Sequence, residues 1–282
     1  MKFQKNIFQI WFQGYENITK NVYVQNIENW KSMNKGWNHF CLNDANLRDE
    51  CAKYSNECLQ TYDSFDIMHL KIDFGRYVTL YNNGGMYVDV DSYILRPLDM
   101  CNDLKHLINL HEKYDKHILG LSAPKLNLLE SYFVVQKSIM INNGIMFSSA
   151  KNPDLKGFID FIIETAKIKD YTHCYLKVNY LTGPAALNQY IENCLLLPSN
   201  NIIHIFDYTI FEPCVGEWCK ITDDTISIHV FCNSWLPKYM QDGKKLYYDF
   251  KGNTTYILII LIIMYVLYTM SNRSKKYKFF TV

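Results

Sequence analysis

The chain has 282 residues, 49% of them hydrophobic and 15% aromatic, which is enough for one large domain or two small ones and excludes a disordered chain. Its net charge of +1 is spread along the sequence, so the basic field that marks a nucleic-acid partner is missing and no such partner is expected. Nine cysteines without a CxxC pair indicate neither a zinc site nor a full disulfide framework, and most read as small buried hydrophobes.

Taken in chain order, short β-rich runs alternate with helical stretches, the pattern of an α/β domain over residues 1–250. The opening "MKFQKNIFQIWFQG" has no continuous apolar core and no small-residue cleavage site, so it reads as a first strand at residues 7–12 rather than a signal peptide. From residue 64 to 81 the apolar positions Ile67, Leu70, Phe74, Tyr77, Val78 and Tyr81 recur near the helical period and predict a helix. Asn82, Asn83, Gly84 and Gly85 tolerate positive φ and end it, and a strand follows at residues 86–90. In an extended segment Asp89 and Asp91 project to one side. Two carboxylates crowded beside a partly buried cleft repel each other and lose hydration unless a cation offsets both costs. Oxygen ligands of this kind suit Mn²⁺ or Mg²⁺. An exposed edge strand carrying two acids also accounts for an isolated D-x-D. Asp73 and Arg76 lie three residues apart on one helix face just before the turn, an arrangement that also suits a surface ion pair.

At the other end "TTYILIILIIMYVLYTM", residues 254–270, holds no charge, and about 17 residues is the lower limit for crossing a bilayer. We expect a single-pass C-terminal membrane anchor followed by a short basic tail at residues 271–282; a buried C-terminal element is the alternative. Basic residues flank the segment on both sides, so the positive-inside rule does not fix an orientation. Without a signal peptide, tail-first insertion would leave the domain in the cytosol, whereas glycosylation of the sequons at Asn17 or Asn253 would put it in the lumen.

The stretch "DFGRYVTLYNNGGMYVDVD", residues 73–91, resembles the D-x-x-R…GG-x-Y-x-D-x-D signature of sugar-nucleotide-dependent glycosyltransferases with a DXD-containing sugar-binding region. That family includes yeast initiating α-1,6-mannosyltransferases and is related to the large clostridial glucosylating toxins. Further pieces match in the family's order: "FQIWFQG", "NNGIMFSSAKNP", "LTGPAAL" and "HVFCNSW". The resemblance implies a GT-A-type fold, a mixed and mainly parallel sheet with helices on both faces and the nucleotide at the carboxyl ends of the strands. It assigns Asp73 and Arg76 to the hydroxyls of the donor sugar, Trp11 to the nucleotide base, and Asp89 and Asp91 to Mn²⁺ or Mg²⁺ against the diphosphate. Ser234 and Trp235 become donor contacts, and His229 either a third metal ligand or a packed histidine.

The implied reaction moves a hexose from a nucleotide diphosphate sugar to a hydroxyl of a glycan, protein or lipid, with retention of configuration and no covalent intermediate. The motifs leave the donor open. Two alternatives stand beside it. A phosphatase of the haloacid dehalogenase type also uses D-x-D at a strand end, but "SYIL" after Asp91 departs from its loop. A membrane-tethered module that binds sugars without turnover would keep the same residues.

Overall fold

The first strand, β1 (Asn6–Ile10), is the apolar run expected at the N-terminus, starting one residue earlier and ending two residues earlier than predicted. Trp11 leaves it: the Trp11 amide donates to Leu42 O and Gly14, at φ 95°, returns its amide to Trp11 O. The computed structural model describes residues 1–124, 141–168, 177–195, 200–215 and 218–230. Ser234, Trp235, the expected anchor at 254–270 and the basic tail lie outside the described residues. Among the described residues no helix is long and apolar enough to cross a membrane.

After β1 come α1 (Asn21–Met33), β2 (Asn38–Leu42), α2 (Asp44–Tyr54), α3 (Asn56–Ser64) and α4 (Met68–Asn83). Caps separate the last three. Asn43 and Asn46 exchange side-chain and backbone hydrogen bonds at the start of α2, and Ser55 Oγ accepts the Cys58 amide at the start of α3, which satisfies amides that a helix N-terminus leaves open. The single helix predicted from residue 64 is corrected here: Ser64 closes α3, Phe65 and Ile67 are extended, and α4 starts at Met68. Gly84 (φ 64°) and Gly85 (φ 117°) end α4 and turn the chain into β3 (Gly85–Val88).

The remaining elements are β4 (Ser92–Ile94), α5 (Asn102–Tyr114), β5 (Ile118–Ser122), β6 (Asn142–Ser148), α6 (Pro153–Ile168), a π-helical turn (Val178–Thr182), α7 (Pro184–Leu195), β7 (Ile202–Ile205), the short α8 (Tyr208–Phe211), the β8 (Cys214–Val215) and β9 (Trp218–Cys219) hairpin, and β10 (Ser227–His229). The main sheet has the order β2-β1-β3-β6-β5-β7. β1 runs parallel to β2 and β3, and β5 to β7, while β6 is antiparallel to both its neighbours. The sheet is thus mixed with parallel pairings in the majority, as expected. Of the described cysteines, Cys51, Cys58 and Cys101 are free and buried as the sequence suggested, whereas Cys214 and Cys219 form a disulfide across the β8-β9 hairpin.

Strand alternation divides the core between two faces. Ile7, Met86, Val88, Ile145 and Phe147 share one cluster with Trp30 of α1 and Leu104 and Leu107 of α5. Tyr87 points the opposite way and meets Arg76 of α4. Helices therefore cover both faces, and burying each large apolar side chain contributes about 1.5–3 kcal/mol.

Gly85 is where this packing is least tolerant. A Cβ there would lie 2.4 Å from Asn6 O, a backbone atom of the neighbouring strand, at a φ that L-residues rarely adopt. Gly85→Ala should cost roughly 2 kcal/mol or more and lower the melting temperature by about 4–8 °C. Gly36→Ala, where nothing lies within 4 Å of the added methyl, should leave the thermal melt within about 1 °C of wild type.

Candidate active site

Helix α4 lies against the sheet, so the three-residue spacing of Asp73 and Arg76 aims both side chains inward. They are 7% and 5% exposed, and Asp73 Oδ1 pairs with Arg76 Nη2 at 2.9 Å. This is a buried pair, not a surface one. A buried guanidinium needs its donors satisfied: Arg76 Nη1 donates to Asn143 O at 2.7 Å, and the guanidinium carbon lies 4.4 Å from the centre of the Tyr87 ring. Asp73 accepts from Asn143 Nδ2 at 3.0 Å and Thr182 Oγ1 at 3.3 Å, and Tyr77 OH ties the cluster to Thr182 O at 2.7 Å. Burial, with the Asp89 charge adding to it, outweighs the pull of Arg76 and pushes the Asp73 carboxyl up to about 6. A modest fall below neutral pH therefore protonates Asp73 and weakens its pair with Arg76.

Asp89 and Asp91 come together by a route other than strand alternation. β3 stops at Val88, and Asp89 to Asp91 form a turn closed by the Ser92 amide on Asp89 O at 3.0 Å. The Asp89 amide donates to Gly144 O at 2.8 Å, which anchors the turn to β6. Asp89 Oδ1 accepts from Tyr87 OH at 2.5 Å and lies 3.3 Å from Arg76 Nη1. The small β4-β10 sheet pairs His229 with Ser92, and the Val230 amide donates to Asp91 O at 3.2 Å. That register delivers His229 from 138 residues away: its Nε2 is 3.1 Å from Asp91 Oδ1 and 3.7 Å from Asp89 Oδ2.

One ligand atom from each of Asp89, Asp91 and His229 lies within 4.8 Å of the others. Two carboxylate oxygens and an imidazole nitrogen form a donor set that fits Mn²⁺ or Mg²⁺. Gly144 keeps the space open, because a Cβ there would meet His229 Cε1 at 2.5 Å and Asp89 Oδ2 at 2.8 Å. Burial and the nearby Asp91 raise the Asp89 carboxyl although Arg76 opposes them. Burial alone would lower the His229 imidazole, but its hydrogen bonds to Asp91 and Glu212 carry it well above its ordinary value. A proton and a cation therefore compete for Nε2.

Trp11 follows the carboxyl end of β1 as Asp89 follows that of β3, and these strands are parallel neighbours. Both residues thus lie at one edge of the sheet. The Trp11 ring is 5.4 Å from that of Tyr23, and its Nε1 has no hydrogen-bond partner among the described residues. Thr182, Gly183 and Pro184, in the piece "LTGPAAL", form the turn into α7. Glu212 and the individual roles of Asn142 and Asn143 were not anticipated. The two asparagines sit in a segment the sequence did single out, but Glu212 is a lone acid with no pattern around it.

Gly144→Ala should leave the sheet assembled while forcing His229 and Asp89 apart. We expect a cooperative melt together with at least a tenfold loss of Mn²⁺ affinity, read by titration of free Mn²⁺ by electron paramagnetic resonance.

Residues 21–109 match the family model described as "Glycosyltransferase sugar-binding region containing DXD motif". An uncharacterized glycosyltransferase of Acanthamoeba polyphaga mimivirus is 38% identical over 86 residues, 30% of this chain and 34% of that protein. The initiation-specific alpha-1,6-mannosyltransferase of Candida albicans is 30% identical over 125 residues, 43% of this chain and 32% of that one. The matches thus span about a third of the length of these relatives. Among solved structures, apo mouse xyloside xylosyltransferase 1 aligns over 84% of this chain and 100% of its own with 10% identity and a TM-score of 0.46. A glycosyltransferase involved in glycosylating the major capsid of PBCV-1 aligns over 80% and 93% with 12% identity and a TM-score of 0.44. Residues 21–109, which hold the Asp73–Arg76 pair and both aspartates of the turn, are thus similar to the DXD-containing glycosyltransferase sugar-binding region.

Proposed function

We propose that this chain is a metal-dependent glycosyltransferase of GT-A type that moves a hexose from a nucleotide diphosphate sugar to an acceptor hydroxyl. The observation that carries this is the contact between two subsites: the Asp89–Asp91–His229 cluster, with ligand atoms within 4.8 Å, touches the buried Asp73–Arg76 pair through Arg76 and Asp89 at 3.3 Å. One subsite suits a divalent cation and a diphosphate, and the other suits sugar hydroxyls.

In this reading Asp89, Asp91 and His229 hold Mn²⁺ or Mg²⁺. Bound there, the cation supplies positive charge against the charge that develops on the leaving diphosphate. Asp73 accepts from hexose hydroxyls, and Arg76, held by Asp73, Asn143 O and the Tyr87 ring, donates to them with little reorganisation. Trp11, at the same edge of the sheet, packs on the base. Ser234 and Trp235, outside the described residues, keep the donor-contact role that the resemblance assigns them. Asp73 and Glu212 are buried and hydrogen-bonded, and Asp89 is engaged by Tyr87 and Arg76, so none is free to act as a carboxylate nucleophile. The family resemblance implies retention, and the engagement of these carboxylates supports same-face substitution over a covalent intermediate as its route. The same engagement of Asp89 disfavours an aspartyl-phosphate mechanism. The donor is one nucleotide diphosphate sugar among several hexose classes, and the acceptor is a glycan, protein or lipid.

Donor hydrolysis should require Mn²⁺ or Mg²⁺ and stop with chelator; equal rates with and without chelator would overturn the metal role. The double change Asp89→Asn with Asp91→Asn should lower turnover at least 100-fold while the melting temperature stays near wild type, because removing two crowded charges relieves repulsion in the turn. In a panel of nucleotide sugars with Mn²⁺, a donor at about 100 times its dissociation constant should stabilise the fold by roughly 2.7 kcal/mol, and Trp11→Ala should weaken that binding.

We further propose that residues 254–270 anchor the chain in a membrane. Resistance of the full chain to alkaline carbonate extraction is the expected result, and complete release into the soluble fraction would refute it.

A further inference from the structure

Glu212 is the buried charge that the proposed reaction leaves unused. It follows α8, is 0% exposed, and among the described residues its one cationic partner is His229. Among the described residues its side-chain hydrogen bonds all fall on one oxygen. Oε1 accepts from Asn142 Nδ2 at 2.7 Å and lies 3.0 Å from Ser122 Oγ and 3.3 Å from His229 Nδ1. Oε2 has no hydrogen-bond partner among the described residues. A carboxylate taken fully out of water with one oxygen unpaired is costly, and an apolar side chain of similar volume would fill the space more stably. Packing therefore does not explain the acid.

Its position relative to His229 does. The imidazole presents Nε2 to Asp91 and Asp89, and Nδ1 to Glu212. Asn142 Nδ2 also lies 3.3 Å from Nδ1. One amide hydrogen serves Oε1; a lone pair on Nδ1 would face that same carboxylate oxygen at 3.3 Å, so the arrangement that avoids repulsion has Nδ1 carrying a proton and donating it to Oε1. Two donors thus converge on one acceptor, which commits the Nδ1 proton to Glu212 and leaves the Nε2 lone pair on the side of the aspartates. The β4-β10 register holds the backbone of His229 but leaves its ring to rotate about the side-chain bonds; Gly144 leaves room beside Cε1. Glu212 meets the ring at Nδ1, the nitrogen turned away from the aspartates.

We propose that Glu212 is a positioning residue that sets the tautomer and orientation of His229, so that Nε2 serves as a ligand to the divalent cation shared with Asp89 and Asp91. The inference rests on the metal reading of the site and adds to it a residue that touches neither donor nor cation. Partners of this kind act by orienting the ligand and raising its basicity, and their loss typically lowers metal affinity by about 10–100-fold.

The test uses the full chain and Mn²⁺ alone. Free Mn²⁺ is titrated by electron paramagnetic resonance, and ¹⁴N modulation of the bound ion reports the histidine ligand. We expect wild type to bind Mn²⁺ with ¹⁴N modulation, Glu212→Gln to bind about 10–100-fold more weakly with reduced modulation, and His229→Gln to lose the modulation. Because Glu212 acts through His229, adding Glu212→Gln to His229→Gln should cause no further loss; two independent roles would instead add. Glu212→Asp, which keeps the charge but withdraws it from Nδ1, should show the same weakening and serves if Glu212→Gln does not fold, with a cooperative melt required of each variant. Wild-type affinity in either Glu212 variant, additive losses in the double variant, or bound Mn²⁺ without ¹⁴N modulation in wild type would overturn the inference while leaving a metal site in place. Failure of wild type to bind Mn²⁺ would overturn the metal reading itself, and the inference with it.

Discussion

Two carboxylates held in one three-residue turn repel each other, and the rest of the site follows from how that repulsion is offset. At about 4 Å and the effective dielectric of a protein surface, two like unit charges cost on the order of 4 kcal/mol, a large fraction of the stability of any domain. Backbone hydrogen bonds hold the turn to β6 and β10 but cannot cancel its charge. Cationic groups must do so. Arg76 reaches Asp89 from α4 and His229 reaches Asp91 from β10. The first lies in the first half of the described chain and the second in its last strand.

Each of these cations is itself buried and brings its own requirement. Arg76 is stabilised by Asp73, by Asn143 O and by the Tyr87 ring; His229 is held by Glu212. Every added cation therefore draws in a further acid. The outcome is four carboxyl groups, on Asp73, Asp89, Asp91 and Glu212, gathered around two cationic side chains. An excess of acids in a partly buried place is unfavourable by itself and favours uptake of positive charge. That uptake takes the form of protons on Asp73 and His229 or of a divalent ion among Asp89, Asp91 and His229. The balance of the network, more than any one residue, is what would favour a cation at the proposed site.

How much of this was legible in the sequence depended on whether a contact was local. The period of Leu70, Phe74, Tyr77 and Val78 marked α4, and the pair of glycines marked the turn out of it, because both signals lie within a few residues. The same local reading merged the end of α3 with α4: Phe65 and Ile67 break the helix through extended backbone, with no glycine or proline to announce it. It also took Asp89 and Asp91 for alternating strand residues, since a turn and a strand place i and i+2 on one side alike. Burial of the Asp73–Arg76 pair was out of reach, because i, i+3 spacing is the same on a solvated face and on a packed one. Glu212 was illegible for a stronger reason. Its partners Ser122, Asn142 and His229 come from three different strands, and nothing in "IFEPC" distinguishes an acid that faces a histidine from one that faces water.

β6 is the element that joins the two subsites. Asn142 donates to Glu212, Asn143 to Asp73 and Tyr77, the Asn143 carbonyl accepts from Arg76, and the Gly144 carbonyl accepts from the Asp89 amide. Successive residues of a strand face opposite ways, so Asn142 and Gly144 serve the histidine side while Asn143 serves the arginine side. A register shift between Leu121 and Ser122 leaves Ser122 paired with Asn142, and this irregularity brings the Ser122 hydroxyl to Glu212. Because β6 is antiparallel to both neighbours in an otherwise parallel arrangement, its first residues enter the sheet where β3 and β5 end. A strand running the other way would put its last residues there, and the amides and carbonyls that meet Asp89 and Arg76 would point along the opposite sense. The separation of the two subsites is thus set by backbone hydrogen bonding along one buried strand, which leaves the side chains of Asp89 and Arg76 little freedom to drift apart.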